Sequence, residues 1–315
     1  MVADFERLVA EADRLLVGAG ETPPEPEAAA AMFALALERG SGRAAARLAM
    51  LAAIGVARQP DWREALGYLE RACELGDASA QRQALILSGI EAAQSLAWRS
   101  VCAGIDIPAL LAPPAVEWLS DRPRIGMVRG LATPAMAGWF IEGGAPFLAP
   151  GEVNDASTGK IRRHEMRTAL SAGLTVLRRD ILCAVMQARV AALTGMPVHH
   201  HEPPNLISYE PGQQFENHFD FVDPRSPLFQ DELAILGQRV ATCVTYLNDD
   251  FEGGETHFPE AKLKLRGGPG DCVLFVNVLA DGQPDPLTVH AGLPPSRGRK
   301  WVLSQWLRSK PQPLV

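Results

Sequence analysis

Moved along itself by 36 residues, the first third of the chain meets its own pattern. Phe33 falls on Leu69, Ala36 on Ala72, Gly40 on Gly76, Ala44 on Ala80 and Leu51 on Leu87. Small residues recur where helices must approach closely, and glycine recurs where a helix must end. A repeat of this length restricts the region to a stack of helix–turn–helix units, each burying its apolar face on the next. Residues 1–100 are also rich in Ala, Leu, Arg and Glu, all good helix formers. Two copies are few for a free-standing solenoid, so the region is expected to pack on its neighbour.

The texture then changes. Prolines in IPALLAPPAVEWLSDRPR break helices, and residues 101–123 read as a linker. Helical patterns occur at 134–143 and 164–195, and after Pro197 the chain becomes strand-like. In RVATCVTYLN (239–248) the side chains of Val240, Thr242, Val244 and Tyr246 share one face. DCVLFVNVL (271–279) is a buried apolar run, and KWVLSQWLR (300–308) is a further strand. Gly and Asn-Asp turn signals separate them, and Gly212 serves a turn. The expectation is an α+β chain. It comprises a helical repeat region over 1–100, a linker over 101–123, and a β-sandwich or jelly-roll barrel with flanking helices over 124–315.

A net charge of −7 gives no reason to expect a nucleic-acid or anionic-membrane partner. Cys73, Cys102, Cys183, Cys243 and Cys272 are scattered and form no C-x-x-C, so they read as reduced core thiols. The N-terminus has no basic start followed by an apolar block, and no uninterrupted apolar run reaches about 18 residues. A cytoplasmic protein without a membrane span is the default.

Chemistry concentrates at His218-Phe219-Asp220. Residues two apart on a strand point to one face, so an imidazole and a carboxylate can reach one ion. His290, in TVHAGLP, supplies a second imidazole. Two His and one carboxylate leave coordination positions open, which suits Fe(II), although such donors also accept Zn, Co or Ni. An H-x-D triplet alone is weak, and context strengthens it. Lys300 opens a strand ten residues after His290 and faces where Ser304 and Trp306 face. A buried lysine needs an anionic partner.

The stretches ISYEPGQQFENHFDF, RVATCVTYLNDDFEGGETHFPE, GDCVLFVN, DPLTVHAGLPPSRGRKW and SQWLR resemble the prolyl 4-hydroxylase family of 2-oxoglutarate- and iron(II)-dependent oxygenases, over roughly residues 124–309. The resemblance implies a double-stranded β-helix (jelly-roll) fold for residues 124–315, and an enzyme that uses Fe(II), 2-oxoglutarate and O2, with stimulation by ascorbate. It implies a prolyl residue of a protein or peptide as substrate. His218, Asp220 and His290 would hold the iron, and Lys300 would grip the far carboxylate of 2-oxoglutarate. Tyr209, Thr256 and Trp306 would complete the cosubstrate site, and Arg167 and Tyr246 would face the substrate. The segment APGEVNDASTGKIRRHEMRTALSAGL resembles the family's mobile loop and the strand after it. Where the family carries an aromatic residue after the arginine, this chain has Gly173-Leu174.

Upstream, LAAIGVARQPDWREALGYLERACELGDASAQ resembles Sel1-like repeats, relatives of the tetratricopeptide repeat, over roughly residues 25–92. Such repeats are candidates for a protein partner. Three residue groups are set aside. His199-His200-His201 reads as a solvated loop run, His257 as a strand residue near the pocket mouth, and Arg297 and Arg299 as charges flanking Lys300. Other readings stay open at this point: hydroxylation of another residue, a free amino acid or a small metabolite; a non-catalytic adaptor; and a zinc-binding barrel.

Overall fold

A computed structural model describes residues 2–18, 22–56, 58–91, 97–154, 161–163 and 166–314. The chain divides into two compact units. One comprises Met1–Ala112, Thr175–Ala192 and Pro313–Val315; the other comprises Pro113–Leu174 and Leu193–Gln312.

The first unit is helical. It contains α1 (Val2–Val17), α2 (Pro26–Glu38), α3 (Gly42–Ile54), α4 (Trp62–Glu74), α5 (Ala78–Ser88), α6 (Trp98–Ala103) and α7 (Ile107–Leu111). The 36-residue shift is visible in its turns. α2 and α4 begin 36 residues apart, as do α3 and α5. Gly40 and Gly76 both take positive φ, where a side chain would be strained. The next residue caps the following helix in each case: Ser41 accepts from Ala44 N–H, and Asp77 accepts from Ala80 N–H. The repeated alanines are the contact surface, with Ala36, Ala44, Ala72 and Ala80 fully buried. The segment 175–192 returns to this unit. Arg47 donates to the carbonyl of Leu177 at 2.6 Å, and Ile181 and Ala184 join the core built by α3, α4, α5 and α6.

The second unit carries α8 (Pro134–Gly144), α10 (Gln230–Leu236) and the sheets; α9 (Ile181–Thr194) lies between them in the chain. The large sheet has eight strands. In spatial order they are β1 (Val116–Asp121), β2 (Arg124–Val128), β13 (Cys272–Val276), β9 (Arg239–Tyr246), β16 (Lys300–Arg308), β7 (Asn205–Tyr209), β6 (Leu170–Gly173) and β3 (Ala149–Pro150). The small sheet has four, in the order β12 (Leu263–Leu265), β11 (Thr256–Phe258), β14 (His290–Gly292) and β8 (Phe215–His218). Two ribbons complete the unit: β4 (Glu152–Asn154) with β5 (Ile161–Arg163), and β10 (Glu252–Gly253) with β15 (Pro295–Arg297). All these pairings are antiparallel.

One core joins both sheets. Ile125, Met127, Ile207, Tyr246, Val273, Phe275 and Val302 enter it from the large sheet, and Phe258 from the small one. Burying each of these side chains is worth about 1.5–3 kcal/mol. On the opposite face of β7, Gly144 lets α8 lie close, since a Cβ there would meet Leu206 Cδ2 at 2.4 Å. The α+β expectation holds, with helices first and an antiparallel jelly-roll arrangement after.

Three sequence expectations are corrected. The helical pattern over 164–195 is helix only from Ile181, where Asp180 caps Cys183 N–H; Leu170–Gly173 is instead strand β6, because its backbone completes a ladder with β7. Residues 155–160 and 164–165, part of the segment matched to a mobile loop, lie outside those described. The histidine tract is only partly solvated: His199 is exposed, but His201 is 4% exposed and His200 is bound to the Arg308 carbonyl. The third correction concerns β9. A bulge sets Arg308 opposite Arg239 rather than Val240, so Arg239 joins Thr242 on the interior side and stacks on Trp306.

Candidate metal centre

The antiparallel pairing of β8 with β14 makes His218 and His290 direct cross-strand partners. Asp220 follows two residues after His218. Donor atoms of His218, Asp220 and His290 lie within 4.8 Å of one another. His218 Nε2 is 3.6 Å from Asp220 Oδ1, and His290 Nε2 is 3.7 Å from Asp220 Oδ2.

Each imidazole is oriented by a backbone carbonyl two residues upstream. His218 Nδ1 meets the Glu216 oxygen at 2.7 Å, and His290 Nδ1 meets the Thr288 oxygen at 3.0 Å. A carbonyl only accepts, so Nδ1 carries the proton and the Nε2 lone pair faces Asp220. Aromatic rings pack the pair in place. Phe215 stacks on His218 at 3.5 Å, and Phe275 meets His290 at 4.7 Å.

Burial, reinforced by neighbouring His290, pushes His218 down to about 3, so the ring is neutral. For Asp220 burial acts to raise the pKa, but His290, His218, Arg239 and the Thr242 hydroxyl outweigh it and hold the carboxyl below its usual range. Two imidazoles and one carboxylate, all aimed inward, are a donor set that fits a divalent transition metal.

A second cluster surrounds Lys300, which is 1% exposed and has no ion-pair partner among the described residues. Its ammonium lies 4.8 Å from the ring of Tyr209 and 5.3 Å from that of Tyr246. Tyr209 pairs with Lys300 across β7 and β16. The Tyr246 hydroxyl is 2.7 Å from Thr256 Oγ1 and donates to the Leu265 carbonyl. Burial brings Lys300 down to about 7, partly opposed by Glu255, and pushes Tyr209 up to about 12, so Tyr209 remains a phenol. Gly292 permits this packing, since a Cβ there would meet Tyr209 Oη at 2.8 Å. A buried amine without an ion-pair partner fits a carboxylate ligand.

The structure thus gathers Lys300, Tyr209, Tyr246 and Thr256 into one group, and His218, Asp220 and His290 into another. Tyr246, assigned to the substrate side from sequence, sits with Lys300. Arg167 adjoins the metal group, with its guanidinium 5.0 Å over the Phe215 ring that stacks on His218. Trp306 shares the Lys300 face but lies about 20 Å along the strand. Its neighbours are Thr242, opposite on β9, and Arg239, 4.1 Å above its ring. His257 is on β11 outside both groups, and Arg297 and Arg299 pair with Glu252 and Glu210.

Sequence reasoning missed Phe215, Thr242, Arg239 and Asn277. Asn277 gives a signal in retrospect, as the one amide inside an apolar strand run.

The sequence pattern of the 2OG-Fe(II) oxygenase superfamily matches residues 204–308, from β7 to the end of β16. Prolyl 4-hydroxylase 1 of Arabidopsis thaliana is 31% identical over 214 residues, a match covering 63% of this chain and 72% of the relative. The chain belongs to the prolyl 4-hydroxylase family. It is a 2-oxoglutarate- and iron(II)-dependent dioxygenase of that type. Another family member, probable prolyl 4-hydroxylase 10 of the same plant, is 33% identical over 215 residues, covering 61% of this chain and 71% of its own. A solved structure of a viral collagen prolyl hydroxylase from Paramecium Bursaria Chlorella virus-1 is 22% identical. It covers 59% of this chain and 96% of its own, with a TM-score of 0.46. Among the described residues, no helix of this prolyl 4-hydroxylase relative is long and apolar enough to cross a membrane.

Proposed function

We propose that this protein hydroxylates a prolyl residue of a protein or peptide, with Fe(II) held by His218, Asp220 and His290 and 2-oxoglutarate held by Lys300. The observation that carries the reading is the convergence of those three donors, with a buried Lys300 that has no ion-pair partner among the described residues packed on rings of the core that also walls His290. When bound, iron and 2-oxoglutarate together supply O2 activation, with oxidative decarboxylation to succinate and CO2 and oxygen insertion into a C–H bond.

The chain's own residues supply positioning. The Glu216 and Thr288 carbonyls keep both Nε2 lone pairs aimed at one point. Lys300 provides the charge, and the Tyr209 phenol a hydrogen-bond donor, for a distal carboxylate. Phe215, Phe258 and Phe275 wall the imidazoles with apolar surface and so limit water near the reacting bond. Arg167, beside Phe215 on the metal side, is placed to fix a peptide carbonyl.

The test is succinate release from 2-oxoglutarate in the presence of Fe(II), ascorbate and a proline-containing peptide. His218→Ala should abolish it, because two donors hold Fe(II) poorly. Turnover near the parent level would refute the metal assignment. Mass spectrometry of the peptide should show one added oxygen on proline, and oxygen on another residue would replace the substrate reading.

A further inference from the structure

Behind Asp220 lies a hydrogen-bond chain with a fixed direction. Asn277 Nδ2 donates to Thr242 Oγ1 at 3.0 Å, and Thr242 Oγ1 donates to Asp220 Oδ2 at 2.8 Å. Asn277 and Thr242 are 0% exposed and Asp220 is 5% exposed, so no bulk water competes. An amide nitrogen only donates and a carboxylate only accepts, so the single hydroxyl proton must point at Asp220. With the amide reversed, Asn277 Oδ1 would face the hydroxyl and compete for that proton. In the observed orientation Oδ1 meets no hydrogen-bond partner, a penalty the fold carries to keep the chain directed.

The backbone of Asn277 is anchored on both sides. Its N–H donates to the Val240 carbonyl at 2.9 Å, and its carbonyl accepts from Asp285 N–H at 2.9 Å. The Asp285 carbonyl in turn accepts from the Thr288 hydroxyl, and the Thr288 carbonyl orients His290. Asn277 is therefore where the supports of two metal-side residues meet. Its side chain reaches Asp220 through Thr242, and its backbone reaches His290 through the turn at 285–288.

We propose that Thr242 and Asn277 are positioning residues that lock the Asp220 carboxylate in one rotamer. Oδ2 is held by the hydroxyl, and Oδ1, on the His218 side, is left as the metal ligand. A carboxylate free to turn would engage the metal through both oxygens and occupy a position that 2-oxoglutarate needs. This inference rests on the metal reading above, and its test separates the two.

The experiment uses the full-length, metal-stripped protein with Co(II) as a probe. Affinity is measured by calorimetry, and the visible absorption band of the anaerobic Fe(II)–2-oxoglutarate complex is recorded alongside. Thr242→Val keeps the shape and removes the proton; it should weaken Co(II) by about 10- to 100-fold and shift the band. Thr242→Ser should restore both. Asn277→Ala leaves the hydroxyl but frees it to turn, and should act in the same direction by less. Cooperative thermal unfolding of each metal-free variant establishes folding. If Thr242→Val does not fold, Asn277→Ala against the parent decides. Parent-like affinity and band in a folded Thr242→Val or in Asn277→Ala, or failure of Thr242→Ser to restore them, overturns the positioning role. Failure of the parent itself to bind Co(II), or binding by His218→Ala as tight as the parent's, overturns the metal reading instead.

Discussion

Lys300 shows how far one residue's environment can set its chemistry. A solvated lysine is charged at any ordinary pH, but burial brings this one to about 7. Bound 2-oxoglutarate favours the ammonium form. Below pH 7 the group is already charged and affinity is full. Above it, binding must take up a proton, so apparent affinity should fall by up to about tenfold per pH unit. Anaerobic titration of the Fe(II)–2-oxoglutarate band across about pH 6–9 reads this directly, and a flat profile in the parent would contradict it. Lys300→Ala should weaken 2-oxoglutarate by about 2–5 kcal/mol. Gly292→Ala should act on the same ligand through Tyr209, whose hydroxyl the new methyl displaces. Its signature is a raised KM for 2-oxoglutarate with the metal affinity unchanged. His201 works in the opposite direction, on stability. Burial depresses it to about 4, so the folded state holds it neutral while the unfolded chain protonates near its ordinary 6.5. Stability is therefore full above pH 6.5 and is lost as pH falls towards 4, by about 3 kcal/mol from this group. Urea midpoints against pH should show that slope reduced in His201→Gln.

At the level of elements, periodicity read the strands well where burial was one-sided or complete. KWVLSQWLR is strand from its first residue to its last, and 239–246 and 272–276 fall inside the expected runs. It failed where a ladder partner decided the outcome. Leu170–Gly173 has no strong strand pattern and is extended because β7 offers it hydrogen bonds. The bulge that turns Arg239 inward is equally invisible, because it depends on how β9 registers against β16. The helix pairs were legible because the turn residues repeat with the helices. Asp77→Ala removes the cap on α5 and should cost about 0.5–2 kcal/mol, measured as a drop in Tm. An equal Tm would mean the cap is replaced by solvent.

For the whole molecule, the helical unit is discontinuous in sequence, since residues 175–192 return to it between strands of the other unit. Deleting residues 1–112 would strip Val176, Ile181 and Ala184 of the core they share with α1–α6. The truncated protein should be prone to aggregation, and a soluble product with parent-like Tm would show that this segment is secured otherwise.

The sequence alone fixed the chemistry on offer: an H-x-D, a distal histidine, a following lysine, and a helical repeat with its caps. Those signals are local or are set by spacing, so they survive in one dimension. Tertiary structure decided which atoms meet. The strand pairing that opposes His218 to His290, the ring of Phe215 over His218, and the line from Asn277 through Thr242 to Asp220 each join residues far apart in the chain. Their contact is set by sheet register, and register is a property of the packed sheets as a whole.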